Sequence, residues 1–250
     1  LFVVIPGADV IGEQALNQVA TFALSTQLDE SERLEVQVKT DPGKLAQGRV
    51  DGLIIDGEGL VMQEDLRMQA MRIETNPIAV NSLKALTGNL ELTEPTQGSA
   101  HILLVEADLD RAFNSPVLGE QMQNLQVEVE GKPVTIDIQQ VDTHLLAEGK
   151  VGIDARIFIQ ETGETQQVSF QTTPHIVEGG RGVALEEVEY ARGKELSPEL
   201  TEALVRKARA ILNLSNFEME GIALQIQDLS VEAGQLTLQA VANITQFPSA

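Results

Sequence analysis

Three histidines, His101, His144 and His175, are the first residues to test for chemistry. They lie far apart in the chain and in none of the close spacings that hold a zinc ion, so ordinary surface or strand histidines are expected. The chain has no Cys. That excludes a disulfide framework, a thiolate zinc site, an iron–sulfur cluster and a cysteine nucleophile. Gly98-Ser99 and Asn114-Ser115-Pro116 lack the flanks of a nucleophile elbow. Gly57-Glu58-Gly59 places an acid where a phosphate would sit, and reads as a bulge or a sharp strand bend. Among 38 Asp and Glu, pairs such as Asp108 with Asp110 arise by number alone, so no glycosidase pair stands out. Asp51, Asp56 and Asp65 do not have calcium-loop spacing. The residues therefore point to no catalytic group, no metal and no cofactor.

Positive charge gathers in one stretch, at Arg192, Lys194, Arg206, Lys207 and Arg209. It has two readings. One is dipole complementation and helix-surface pairing with Glu195, Glu199 and Glu202. The other is a site for an anionic head group, with Arg206, Lys207 and Arg209 as its residues. The net charge of −21 repels phosphate backbones and anionic lipid surfaces, which argues against a nucleic-acid partner. At 42% hydrophobic residues the chain can bury a core, which excludes a disordered class. With no Trp, one Tyr and seven Phe, that core is nearly all aliphatic. No apolar run reaches the ~18 residues that suggest a membrane-spanning helix. The first residue is Leu, so a leader or membrane anchor upstream stays open, as does a cell-envelope or membrane-associated compartment.

The elements that would position these residues follow from periodicity. Leu16, Val19, Ala20, Ala23 and Leu24 recur at helical spacing and predict an N-terminal helix within 1–28. Strand alternation dominates 34–190. Met68 and Ala70 give way to Met71 and Ile73, a phase flip that predicts a bulge or bend. Short helices are expected at Asn81–Leu86 and Ala107–Asn114. From 125 to 172 the alternation is cleanest, through Val127, Val134, Ile136, Ile138, Ile153, Ala155, Ile157, Val168 and Phe170, an antiparallel meander with one apolar face. Ser197, Pro198, Glu199 and Glu202 open a long helix over 197–213, whose apolar face carries Leu200, Leu204 and Ile211. A hairpin closes the chain over 216–247, with a second phase flip before Leu229. The expected class is α+β, a single unit over 1–250 with a long curled antiparallel sheet packed against two amphipathic helices.

Several segments resemble a bacterial family of phospholipid-binding proteins, the LmeA-like family, and in particular its branch in photosynthetic bacteria. They are Lys44-Leu45-Ala46-Gln47-Gly48-Arg49-Val50-Asp51, Gly57-Glu58-Gly59-Leu60, Asp65-Leu66-Arg67 and Glu91-Leu92-Thr93-Glu94-Pro95-Thr96-Gln97. The most telling is Glu106-Ala107-Asp108-Leu109-Asp110-Arg111-Ala112-Phe113-Asn114-Ser115, and Gly193-Lys194-Glu195-Leu196-Ser197 and Leu212-Asn213-Leu214-Ser215-Asn216-Phe217 extend the match. The resemblance implies an architecture similar to the tubular lipid-binding (TULIP) fold, with a hydrophobic channel, and it brings no catalytic residue. One departure is Val105, where the family often has Ser or Thr. Asp108 must then act through the helix dipole or another partner.

The functional expectation is non-enzymatic binding or transfer of a phospholipid or other acyl lipid through an aliphatic groove or tunnel. Each buried chain methylene contributes about 0.8 kcal/mol to such binding. The expected lipid-facing residues are Leu16, Val19 and Ala23 from the first helix and Leu200, Leu204 and Ile211 from the second. Phe113, Phe170, Tyr190 and Phe217 are the expected gates, and a transient membrane contact the expected route of loading. Three alternatives stay open. The aliphatics can simply pack on one another. The chain can be an assembly factor that holds a protein partner by a sheet edge or its acidic surface. It can be a hydrolase of unrecognised type.

Overall fold

The computed structural model describes residues 13–25, 28–62, 65–81, 91–129, 131–191, 200, 204–208, 212 and 221–246. Helix α1 spans Glu13–Ser25, and the first strands are β1 (Arg33–Lys39), β2 (Arg49–Val50), β3 (Gly52–Met62), β4 (Leu66–Thr75), β5 (Ile78–Ala79) and β6 (Thr96–Val105). A one-turn helix, α2 (Pro42–Ala46), lies between β1 and β2. Helices α3 (Glu106–Phe113) and α4 (Pro116–Gly119) follow, then β7 (Leu125–Val129), β8 (Lys132–Leu145), β9 (Val151–Ile159), β10 (Glu164–Val177) and β11 (Gly182–Tyr190). The hairpin β12 (Ile222–Glu232) and β13 (Gln235–Ile244) ends the described chain. The class is α+β, as the periodicity predicts.

The antiparallel strands form a six-stranded sheet in the order β1-β3-β4-β6-β13-β12 and a five-stranded sheet in the order β11-β10-β9-β8-β7. The two meet where the β10–β11 turn touches β12. The backbone N–H of Ile226 donates to the carbonyl of Gly180 at 2.7 Å, and Nε2 of Gln225 donates to Gly179 at 2.7 Å. Gly180 has φ +93°, and a Cβ there would collide with the carbonyl of Ile226, so the approach requires glycine.

Two helices lie along strand edges in the same way. The outer edge of β8 beyond its short pairing with β7 has N–H groups that need acceptors. Glu106 accepts from Leu145 N–H at 2.7 Å, Asp110 from Thr143 N–H at 2.6 Å and Asn114 from Val141 N–H at 3.0 Å. Four helical residues rise about 6 Å and two strand residues about 6.7 Å, so every fourth side chain of α3 meets every second N–H of β8. On β1, Asn17 and Thr21 of α1 accept from Val38 and Val36 N–H at 2.8 and 3.1 Å.

The other face of α3 reaches the six-stranded sheet. Asp108 is 2% exposed and accepts from Nη1 of Arg67 on β4 at 2.6 Å. Its second oxygen accepts from Val105 N–H at 3.1 Å, the half of a capping box that does not need Ser or Thr at 105, and Arg67 is the further partner. The side-chain hydrogen bonds from Arg67 to Asp108 and Glu32 raise the guanidinium pKa further above its ordinary value. Arg111 Nε donates to Asp65 at 3.1 Å.

The predicted phase-flip irregularities are placed by the register. β12 has a bulge between Ile226 and Asp228, as expected. β4 keeps one register against β3 and β6 across Ala70 and Met71, so the expected bulge is not in that strand. The local bend is on its neighbour at Gly59, which takes φ +57° opposite this stretch, where the Gly-Glu-Gly segment predicts it. Pro174 lies inside β10. The expected helix at 81–86 falls outside the described residues from 82 onward.

Replacing Asp108 with Ala removes the buried partner of Arg67, which keeps Glu32, and opens the start of α3. Urea denaturation should show a loss of about 3 kcal/mol, larger than for Asp108→Asn. Glu161 gives a pH test. Desolvation raises its pKa, but hydrogen bonds from its own backbone N–H and that of Thr135 outweigh it, and the net shift is downward. A lowered carboxylate pKa stabilises the fold above the unfolded value and loses that contribution as pH falls through the folded value. The protection factor of the Thr135 amide, its intrinsic exchange rate at each pH divided by the observed one, should therefore fall on acidification through that lowered pKa, and Glu161→Gln should weaken this dependence.

Candidate functional site

One face of the five-stranded sheet is a row of aliphatic side chains. Ile136, Ile157 and Val168 are at most 1% exposed. Register sets their neighbours: Ile138 opposite Ile157, Ala155 between Val141 and Val168, and Ile153 between Thr143 and Phe170. Leu200 packs into this cluster at 6% exposure, with Leu204 beside it, so the helical residues 200 and 204–208 cover the row. The cover does not fill it. A slot of about 120 Å³ remains between sheet and helix. Its floor includes Ile138, Val141, Ile153, Ala155, Ile157 and Val168, and its roof Leu204, Val205, Lys207, Ala208 and Leu212. The reason is local: Ala155 on the sheet and Ala208 above it are small among branched neighbours.

Two groups of larger side chains bound the slot. Phe113 from α3 and Met122 from the following turn lie on one side. They pack with Leu118, Val141 and Ile138. Phe170 and Tyr190 are cross-strand partners on β10 and β11, with ring centroids 5.7 Å apart and planes at 55°. That tilted arrangement is a favourable one for aromatic pairs.

The expected site residues are distributed as follows. Phe113, Phe170, Tyr190 and Leu204 line the slot, and Leu200 packs against its floor. Lys207 is the one charged residue among the described residues of the lining, and Arg206 stands exposed beside it. Arg209, Ile211 and Phe217 fall outside the described residues. Leu16, Val19 and Ala23 belong to α1, which packs along β1 in the other sheet, and their side chains are not among those described. Sequence reasoning did not single out Met122, Val141, Leu185 and Val188 as lining residues. The alternation through Ile138, Ile153, Ala155 and Ile157 was the available signal, and it identifies the floor without showing which side chains border a void.

The polar clusters lie elsewhere. His144 Nε2 is 3.0 Å from Asp154, and His175 Nε2 is 3.8 Å from Glu186, both on exposed strand surface. Among the described residues no group of three His, Cys, Asp or Glu is arranged to hold a metal ion. The Arg72 guanidinium pKa is raised, chiefly by its hydrogen bonds to Glu74 and Asp56. No described helix is long and apolar enough to cross a membrane.

The slot is thus an apolar space between an antiparallel sheet and a helical cover. The family model described as LmeA-like phospholipid-binding matches residues 7–241, and the chain belongs to that family. No curated protein and no solved structure matches the chain.

Leu204 packs on the aliphatic row and lines the slot, so its side chain helps to set the volume. Leu204→Ala should cost about 2–4 kcal/mol in denaturant unfolding and enlarge the void beneath residues 204–208.

Proposed function

We propose that the slot holds the acyl chain of a phospholipid or related lipid, and that the protein binds or transfers lipid without catalysing a reaction on it. The observation that carries this reading is the combination of an unfilled aliphatic slot with membership of a phospholipid-binding family. An apolar cavity of about 150 Å³ lined by Leu, Ile and Phe stays dry and takes up an apolar guest. The present slot is of similar size. As it stands it accepts a few methylenes. A longer chain is accommodated by lifting the helical cover at 204–208, at a gain of about 0.8 kcal/mol for each methylene buried. The stem of Lys207 can lie along that chain while its ammonium stays in water. We read the whole chain as one lipid-binding unit, loaded in transient contact with a membrane.

At β1, and at β8 beyond β7, a partner strand would compete with α1 and α3 for the same N–H groups, which disfavours strand addition at those two places.

Native mass spectrometry and organic extraction of the purified protein test the proposal. Bound lipid is expected in both, and it should be lost in Ala155→Phe, which fills the slot from its floor while the circular dichroism spectrum is kept. A clean unliganded mass with an empty extract from the unaltered protein would count against it.

A further inference from the structure

The slot has two unlike sides. Leu212 N–H donates to the Ala208 carbonyl at 2.9 Å, and the Leu212 carbonyl accepts from Val183 N–H on β11 at 3.3 Å. Lys207 and Ala208, about one turn before Leu212, therefore lie toward β11, where Leu185, Val188 and Tyr190 line the slot. Lys207 is the one cation among the described residues of the lining, and it draws an anionic head group to that side. Phe113 and Met122 stand on the other side, along the outer edge of β8.

That second side is closed and pinned. Leu118 and Met122 are each 6% exposed, and they pack with Val141, Ile138 and Phe113. Ile138 pairs with Ile157 and Gln140 with Arg156, so Gln139 is an extra residue in β8. The bulge shifts the alternation by one residue, and Ile138 and Val141 both face the slot. Phe113 and Met122 are each followed by an amide side chain that grips this stretch. Asn114 accepts from Val141 N–H at 3.0 Å and donates to the Val141 carbonyl at 2.6 Å. Gln123 donates to the Ile138 carbonyl at 3.0 Å. The two large side chains are thus tied to β8 on both sides of its bulge. An acyl chain pressed against them has no donor or acceptor to offer in exchange.

Beyond this wall there is space again. An open hollow of about 370 Å³, mostly apolar in its lining, shares Phe113, Met122 and Ile138 with the slot. These side chains part the two.

We propose that Phe113 and Met122 are the tail stop of the slot, the residues that set the length of acyl chain the protein retains. This rests on the reading that the slot holds an acyl chain. The head lies toward Lys207 and β11, the chain runs across the strands, and its methyl end meets Phe113 and Met122. A chain longer than this span leaves methylenes in water or displaces hydrogen-bonded elements. Phe113 is then a stop rather than a gate.

The full chain is equilibrated with vesicles that carry phosphatidylglycerols of graded saturated chain length, then re-isolated and weighed with its lipid by native mass spectrometry. Retention, relative to vesicle content, should rise with chain length to a limit and fall beyond it. Met122→Ala opens the wall toward the hollow, and should raise retention of chains two methylenes past the limit about tenfold. Phe113→Leu, a milder change in the same wall, should move the limit the same way by less. Leu118→Ala thins the same cluster outside the slot lining, and should leave the limit in place. A limit unmoved by both Met122→Ala and Phe113→Leu overturns the stop. An equal shift in Leu118→Ala, or lipid bound by the unaltered chain without any limit, overturns it as well. In these cases the bound lipid leaves the acyl-chain reading standing. Retention of no lipid by the unaltered chain overturns that reading, and the stop with it.

Discussion

The backbone edge of β8 is the constraint from which much of the structure follows. A strand edge turned toward the interior of a two-sheet molecule cannot leave its N–H groups without acceptors. A partner strand would satisfy them but would also close the five-stranded sheet against further packing. Here a helix does the work. Glu106, Asp110 and Asn114, one turn apart, hold Leu145, Thr143 and Val141. Asn114 also donates from Nδ2 to the Val141 carbonyl at 2.6 Å, so one amide serves both backbone groups of that residue.

The same short helix joins the sheets. Asp108 and Arg111 face β4 and the start of its hairpin, while Glu106, Asp110 and Asn114 face β8. The apolar positions divide likewise. Leu109 packs with Leu145, Val151, Val231 and Leu236, and Phe113 with Leu118, Met122 and Val141. Nearly every residue from 106 to 115 thus has its own contact, and few substitutions would preserve them together. The charge pair at Asp108 is costly to desolvate. It is held because the carboxylate meets a guanidinium on one oxygen and a helix-start N–H on the other.

The strands and the apolar faces were legible in the sequence because period-2 alternation reports burial directly, as at Ile136, Ile157 and Val168. The bulge in β12 was legible from the phase flip before Leu229 for the same reason. The flip in β4 was misplaced, because alternation records which side chains are buried but not which of two paired strands carries the kink, and Gly59 carries it. The division into two sheets was not legible, since pairing partners distant in sequence leave no local mark. Nor was the slot: Ala155 and Ala208 look like ordinary core alanines until the sheet register and the cover bring them to one void. The role of the acids in α3 was hidden by the abundance of acids in the chain, and their four-residue spacing acquires meaning only against a strand with a free edge.

The two walls of the slot differ in how they are held. On the side of Phe113, α3 is pinned by charge-assisted and backbone hydrogen bonds to both sheets, which resist displacement. On the side of residues 204–208, Leu200 and Leu204 pack on aliphatic side chains, and Val183 N–H donates to the Leu212 carbonyl at 3.3 Å. Apolar contact is non-directional, and a ligand's methylenes can replace it nearly one for one. On the proposed reading, an acyl chain entering under the cover would exchange side-chain burial for its own burial, at small cost in free energy. The hydrogen-bonded wall at Phe113 has no such substitute, because a methylene cannot replace the carboxylate and amide acceptors that hold α3.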